Sequence, residues 1–122
     1  MGFKFEQLEI WQLALDYVDL IYEIANRLPR SEEFNLKSQI IRAATSVALN
    51  IAEGSTGQSD AEQARFLGMA IRSLVETVAC QHLIRRRSLI TDEQLLDLAY
   101  RQAEVLAMKL QAMKKRLSDD RR

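Results

Sequence analysis

Residues 6–29 read EQLEIWQLALDYVDLIYEIANRLP, and the spacing of their apolar side chains decides the fold of this 122-residue chain. Apolar residues recur every three to four positions, which is the period of an α-helix. They form two neighbouring stripes, Leu8, Trp11, Leu15, Val18, Tyr22 and Ala25, and Ile10, Ala14, Tyr17, Ile21, Ile24 and Leu28. Pro29 cannot continue the hydrogen-bond ladder, so it predicts the end of this helix at residue 28.

The two stripes together cover more than half of the circumference of the first helix. A bundle helix with a single partner face buries less than this. We therefore expect self-association, because large apolar patches are rarely left in contact with water. The alternative is that the first helix lies centrally and that both stripes are covered within one chain.

Three more helices follow from the same periodicity and from helix start and stop signals. Ser31 is a candidate N-cap, and Gly54 ends the helix that it starts. Ser59 and Thr91 each begin the spacing of a capping box. The sequence predicts an all-α, antiparallel up-down-up-down four-helix bundle, one domain over 1–122, with helices at 6–28, 32–53, 60–87 and 92–117 and a polar tail at 118–122. Small residues in the second helix predict close approach of a neighbour: Ala43, Ala44, Ser46, Ala48 and Ala52.

The charge of the chain is balanced in total but separated along the sequence. Seventeen Lys and Arg residues stand against 17 Asp and Glu residues, so no overall basic field attracts nucleic acid or an anionic membrane. Residues 1–62 hold five basic and ten acidic side chains, whereas residues 63–122 hold twelve and seven. This complementarity predicts that the first helix of one subunit faces the basic second half of its neighbour.

Patterns for catalysis, metal binding and membrane insertion are missing from the sequence. Cys80 and His82 are the only residues of their types, which excludes an internal disulfide and a Cys/His zinc cluster. Ala79 stands where a Glu-x-x-His motif needs its carboxylate, and no Gly-rich phosphate loop can be written. We expect a cytoplasmic protein without catalytic residues, metal, cofactor, small-molecule substrate or membrane contact.

Two groups of polar residues remain as candidate sites. Basic runs end the third and fourth helices, where the helix dipole favours cations without any ligand. Contact with nucleic-acid phosphates is the alternative, which a ring of subunits would favour by gathering the charge at one rim. The candidate nucleic-acid contacts are Arg85, Arg86, Arg87, Lys114, Lys115 and Arg116.

The second group is a polar line along the second helix, with polar residues on the third. It is interpreted either as a solvated stripe or as a hydrogen-bonded seam between subunits. Asn50 and Glu53 are expected to satisfy backbone groups at the turn that follows. The line consists of Arg42, Ser46, Asn50 and Glu53, with Arg65, Arg72 and Glu76 on the next helix.

Four segments, in this order, resemble the bacterial four-helix bundle proteins encoded in 23S rRNA intervening sequences. They are FEQLEIWQ at 5–12, LKSQIIRAA at 36–44, NIAEG at 50–54 and FLGMAIRSL at 66–74. Relatives include the accessory variability determinant of diversity-generating retroelements. The resemblance implies a homopentameric ring without known catalytic activity, and binding of nucleic acid or a reverse transcriptase in the retroelement branch. It implies structural roles for the motif residues Trp11, Arg42, Asn50, Glu53, Gly54 and Glu76.

The chain departs from the family pattern at four places. Ala48 replaces a common proline, Asn35 and Arg72 replace glycines, and residues 55–58 lack the usual basic residue. The last departure removes positive charge from the loop after the second helix. The expected function is a non-enzymatic homo-oligomeric scaffold for RNA, DNA or a ribonucleoprotein. The alternative is a structural or protein-binding bundle without a nucleic-acid role.

Overall fold

A computed structural model describes residues 2–119, and these form four helices joined by short connections. α1 spans Glu9–Asn26, α2 Leu36–Gly54, α3 Asp60–Arg86 and α4 Glu93–Asp119. Each helix packs against the next one in the chain, and α4 closes the bundle against α1. This order confirms the predicted all-α, up-down-up-down four-helix bundle. Of the polar tail predicted at 118–122, residues 120–122 lie outside the described residues.

The predicted start of the first helix is wrong by three residues. A separate 3₁₀ turn occupies Lys4–Gln7, and Leu8 has extended backbone angles (φ −78°, ψ 133°) that divide this turn from α1. The Glu6 carboxylate accepts the backbone N–H of Phe3 at 2.6 Å, which satisfies a donor of the turn rather than of α1.

The predicted start of the second helix is wrong by four residues, and Ser31 is not its N-cap. The chain instead forms a 3₁₀ turn at Arg30–Glu32, and Asn35 (φ −125°, ψ −102°) interrupts the helical path before α2. The Glu32 carboxylate accepts from the backbone N–H of Leu36 at 3.4 Å. Glu32, which was expected in the first turn of the second helix, therefore lies before α2 and caps its first backbone N–H.

The starts of α3 and α4 follow the predicted capping chemistry, with one shift. Ser59 Oγ accepts from the backbone N–H of Glu62 at 3.0 Å, so Ser59 is the N-cap, but the Glu62 carboxylate pairs with Arg65 and only half of the predicted capping box forms. In α4 the cap is Asp92 and not Thr91, because an Asp92 carboxylate oxygen accepts from the N–H of Leu95 at 3.0 Å. These backbone contacts lower the pKa of Asp92 most, and Arg27 lowers it further.

The stripe from Ile10 to Leu28 supplies most of the contribution of α1 to the core, and the other stripe adds the buried Ala25 and the half-buried Trp11 and Val18. Ile10, Ala14, Tyr17, Ile21 and Ile24 are buried, whereas Leu15 and Tyr22 of the other stripe are 38% and 43% exposed. Large apolar side chains are also exposed on the other helices: Leu49, Val75, Leu83, Leu98, Tyr100, Val105 and Met108. The bundle therefore leaves apolar surface uncovered on every helix. None of the helices between residues 2 and 119 is long and apolar enough to cross a membrane.

Candidate nucleic-acid interface

The basic run at the end of α3 is partly used inside the bundle. Arg85 donates to Glu93 Oε2 at 2.7 Å and to Asp97 Oδ1 at 3.2 Å, which ties the end of α3 to the start of α4. Arg86 and Arg87 are exposed beside it. The charge of one of the three arginines is thus compensated by neighbouring carboxylates, which weakens this end as an anion site.

The basic run near the end of α4 does not form one patch, because its members project in different directions. Lys114 lies across α3 at Gly68, where a Cβ atom would be 3.4 Å from Lys114 Cε and 3.8 Å from Nζ. Arg116 lines a cavity of about 250 Å³ with Lys109, whose Nζ is 3.1 Å from the Glu9 carboxylate. Lys115 is exposed.

A basic groove between α3 and α4 brings Lys114 together with two arginines of α3. Arg65, Arg72 and Lys114 line this α3–α4 groove of about 420 Å³, with Met69 and Gln111 among its other walls. Arg65 pairs with Glu62; this bond lowers the pKa of Glu62 and raises the pKa of Arg65. Within residues 2–118, Arg72 and Lys114 form no ion pair.

Sequence reasoning placed Arg65 and Arg72 with the polar line of the second helix and missed their position beside Lys114. Because α3 and α4 are antiparallel, the end of α4 lies beside the first half of α3 and far from residues 85–87. Gly68 was the available signal, since it stands midway between the two arginines and has no side chain to exclude the lysine.

The polar line on α2 contains the predicted motif residues and faces outward. Asn50 Nδ2 donates to the backbone oxygen and to Oγ of Ser46 at 2.9 and 3.0 Å, so it bonds back along α2 instead of reaching the following turn. Ser73 Oγ donates to Ser46 Oγ at 2.9 Å and links α3 to this line. Arg42 donates to Ser38 Oγ at 3.1 Å, and Glu53 is exposed. An open groove of about 520 Å³ follows this face, lined by Arg42, Thr45, Ser46, Leu49, Asn50 and Glu53.

The remaining motif residues have different surroundings. Gly54 lies against α3, because a Cβ atom on it would be 2.8 Å from Cβ of Phe66. The Trp11 ring packs edge-on against Phe5 with 4.6 Å between centroids, which holds the N-terminal turn against α1. Glu76 is exposed on α3; its charge raises the pKa of the Cys80 thiol, although burial of that thiol is the larger cause.

A buried polar cluster crosses the core diagonally, and sequence reasoning missed it. The Tyr17 hydroxyl is 2.6 Å from Thr77 Oγ1 and accepts from Gln81 Nε2 at 2.7 Å. Burial raises the pKa of Tyr17 to about 12. Gln81 Oε1 is buried without a hydrogen-bond partner. The sequence signal was a tyrosine in a core stripe together with Thr77 and Gln81 at positions i and i+4 of one helix.

The side chains described here provide no cluster of three His, Cys, Asp or Glu residues that could hold a metal ion. The geometry defines a class of protein: an antiparallel helix bundle with an apolar core, outward polar grooves and uncovered apolar surface.

The chain belongs to the family of 23S rRNA-intervening sequence proteins, whose pattern matches residues 6–112. It is also similar to a crystal structure, at 1.70 Å resolution, of a protein of unknown function from the S23 ribosomal protein family of Bacteroides thetaiotaomicron. The two chains are 25% identical, with a TM-score of 0.79 over 87% of this chain and 98% of that one. No curated protein matches the chain. The predicted family is thereby confirmed.

Proposed function

We propose that this chain is a non-enzymatic, self-associating scaffold that contacts RNA through the α3–α4 groove. The observation that carries the RNA contact is the convergence of Arg65, Arg72 and Lys114 on one groove. Of these three cations, only Arg65 has an ion-pair partner among the described side chains. The family description and the neighbour's family name both refer to the ribosome, which supports RNA as the anion.

The spacing of the cations suits a phosphate backbone. Arg65 and Arg72 are seven positions apart on α3, which places them roughly 10 Å apart along the helix axis. This distance spans about three base steps of one strand at 3.4 Å each. Guanidinium groups bind phosphate oxygens with two parallel hydrogen bonds, so two arginines fix the register of a strand and Lys114 adds charge.

Because the net charge of the chain is zero, RNA binding is expected to be weak. It should also weaken as the salt concentration rises, because each cation that neutralises a phosphate releases counterions from the RNA. Each neutralised phosphate contributes roughly −0.7 to −0.9 to the slope of log K against log salt, so three contacts give about −2 to −3. Fluorescence anisotropy of a labelled RNA hairpin and of a single strand, between about 50 and 200 mM salt, measures this slope.

The variants Arg72→Ala and Lys114→Ala each test the groove. Each is expected to weaken RNA binding and to reduce the salt slope by about one. The matched control is Arg101→Ala, which removes an exposed arginine of α4 that does not line the groove. Absence of binding at about 50 mM salt, or equal losses in Arg72→Ala and Arg101→Ala, contradicts the RNA contact.

Self-association is the second part of the proposal, and the uncovered apolar side chains support it. Leu15 and Tyr22 of α1 remain exposed although their stripe has the spacing of a packing face. The resemblance to ring-forming relatives leads us to propose a homopentamer, for which light scattering should give about 70 kDa, five times the 14.0 kDa chain. A monomer at a protein concentration of about 100 µM contradicts self-association.

A structural or protein-binding bundle is the alternative function. It is favoured by the ion pairs of Arg85 and by the neutral total charge. In this case groove variants leave RNA binding unchanged, and a protein partner of fixed stoichiometry stays bound after nuclease treatment.

A further inference from the structure

An apolar pocket of about 160 Å³ continues the α3–α4 groove towards the end of α3. Among the described side chains that line it, Glu104 is the one that carries a charge. The other walls are Leu74, Val75 and Val78 of α3 and Tyr100, Ala103 and Ala107 of α4. We propose that this α3–α4 apolar pocket holds an unstacked base of a single-stranded RNA whose phosphates lie on the cations of the groove. The proposal rests on the RNA contact in the proposed function and adds the class of RNA.

The pocket and the groove follow each other along the same two helices. On α3, Arg72 lines the groove and Val75 lines the pocket; on α4, Gln111 lines the groove and Ala107 lines the pocket. Val75 comes three positions after Arg72, which corresponds to roughly 4.5 Å along the helix axis and is close to one base step of about 3.4 Å. A strand with a phosphate at Arg72 therefore brings a base to the pocket.

The walls of the pocket suit the flat, apolar face of a base. Val75 is 62% exposed and Tyr100 is 41% exposed, so both side chains are open to an incoming ring. The exposed His82 ring meets the Tyr100 ring at 80° with 6.2 Å between the centroids, which adds a second aromatic group beside the pocket. Proteins that bind single strands stack bases on aromatic side chains of this kind next to a positively charged groove.

The combination of cations with an open apolar pocket favours a single strand over a duplex. In an RNA duplex the base faces are stacked on one another, so phosphates, 2′-hydroxyls and base edges are what a protein can reach. Such a ligand would use Arg65, Arg72 and Lys114 and leave the pocket empty. A single strand exposes the faces of its bases, so it can occupy the groove and the pocket at the same time.

Glu104 adds a preference among the bases. It is exposed and takes part in no ion pair within residues 2–118. A carboxylate accepts hydrogen bonds, so it matches the N4 amino group of cytosine, whereas uracil presents a carbonyl oxygen at the same place. The same negative charge repels phosphates and keeps the backbone on the side of Arg72 and Lys114. We therefore expect cytosine to bind in the pocket more tightly than uracil.

The first test removes the aromatic wall of the pocket. Fluorescence anisotropy compares a labelled oligocytidine strand with a blunt RNA duplex of the same length at about 50 mM salt. Tyr100→Ala is expected to weaken binding of the single strand about tenfold and to change duplex binding little, because only the strand stacks a base there. Tyr100→Phe keeps the ring and should keep the affinity. The matched control is Phe34→Ala, which removes an aromatic side chain that is 95% exposed before α2 and should leave both affinities unchanged.

Two further variants test the pocket without changing Tyr100. Val75→Ser removes an exposed apolar contact at little cost to the fold and should lower the single-strand affinity about threefold. Wild type should bind oligocytidine about fivefold more tightly than oligouridine, and Glu104→Gln should bring this ratio close to one, because an amide both donates and accepts hydrogen bonds. Both changed positions are exposed, and circular dichroism should show unaltered helix content.

The outcomes separate the pocket from the groove. If Arg72→Ala weakens binding of both RNAs while Tyr100→Ala and Val75→Ser leave the single-strand affinity unchanged, the pocket assignment is wrong and the RNA contact stands. If no RNA binds at about 50 mM salt, both are wrong. A lower particle mass of Tyr100→Ala in light scattering would make the pocket a contact with a second copy of the chain. Equal affinity for cytidine monophosphate and for the strand would make it a site for a free nucleotide. Either result overturns the assignment to single-stranded RNA.

Discussion

The α2–α3 and α1–α4 interfaces join antiparallel helices of the same bundle by different means. Between α2 and α3, Gly54 lies against Phe66, and the Ser46 and Ser73 hydroxyls bond at 2.9 Å. Between α1 and α4, ion pairs hold both ends: Glu9 with Lys109 at 3.1 Å and Arg27 with Asp92 at 2.7 Å. Both interfaces share the apolar core, but α2–α3 is closed by small side chains in contact, whereas α1–α4 is bordered at its ends by exposed ion pairs.

This difference indicates where each interface tolerates change. Close packing of small residues leaves no room for an added methyl group, so substitutions there act through steric overlap. Solvent-exposed ion pairs contribute little each, so substitutions at α1–α4 act weakly and depend on salt. We expect the free energy of unfolding to be most sensitive at α2–α3 and least sensitive at the ends of α1–α4.

The largest effect is expected for Gly54→Val. Its Cβ atom would lie 2.8 Å from Cβ of Phe66, so α2 and α3 must separate; this overpacking costs about 3 kcal/mol. Urea unfolding followed by circular dichroism measures the loss. Gly68→Ala is the control, because its Cβ would meet only the flexible end of Lys114 at 3.4 Å and alanine favours a helix by about 1 kcal/mol. Equal destabilisation by both variants contradicts the close α2–α3 contact.

The next largest effect is expected at the buried cluster of Tyr17, Thr77 and Gln81, which joins α1 to α3 across the core. Tyr17→Phe removes the hydroxyl that accepts from Gln81, and it leaves a buried amide donor unsatisfied at a cost of about 2 kcal/mol. The same unfolding measurement applies. Tyr22→Phe changes an exposed tyrosine of the same helix and should be nearly neutral. A Tyr17→Phe variant as stable as Tyr22→Phe would show that the cluster does not hold α1 against α3.

Alkaline pH provides a reversible version of this test. The pKa of Tyr17 is raised from 10.0 to about 12 in the folded chain, mainly by burial. The neutral form is therefore favoured by folding, and its stabilisation is fully present below pH 10 and is lost as the pH rises towards 12. Between pH 10 and pH 11 the free energy of unfolding of wild type should therefore fall by about 1 kcal/mol more than that of Tyr17→Phe. Parallel pH profiles of wild type and Tyr17→Phe above pH 10 would contradict it.

The fold was predictable because helix periodicity and helix stop signals are local. The apolar stripes of α1 and the capping sequence at Ser59 depend on residues within one or two turns. The starts of α1 and α2 were not predictable in this way, because a 3₁₀ turn and an α-helix need nearly the same residues. The backbone angles of Leu8 and Asn35, which separate these turns from their helices, leave no clear sequence signal.

The candidate sites were less predictable, because they combine residues from different helices. Lys114, Lys115 and Arg116 were grouped as candidate phosphate contacts because they are consecutive in the sequence, but on a helix consecutive side chains point in different directions. Lys114 meets Arg65 and Arg72 only through the register between α3 and α4. Similarly, Tyr17 was assigned to an apolar stripe, and its partners lie 60 and 64 positions away.

The smallest effect is expected at the α1–α4 ends, and it completes the contrast with Gly54. Lys109→Ala removes the ion pair with Glu9 and should cost about 0.2–1 kcal/mol at low salt, because both side chains are largely exposed. Glu9→Ala and the double variant complete a cycle that isolates the pair energy. In 1 M salt, where the screening length is about 3 Å, the coupling should approach zero. A coupling as large as the Gly54→Val effect, or one insensitive to salt, would mean that charges hold this interface as firmly as packing holds α2–α3.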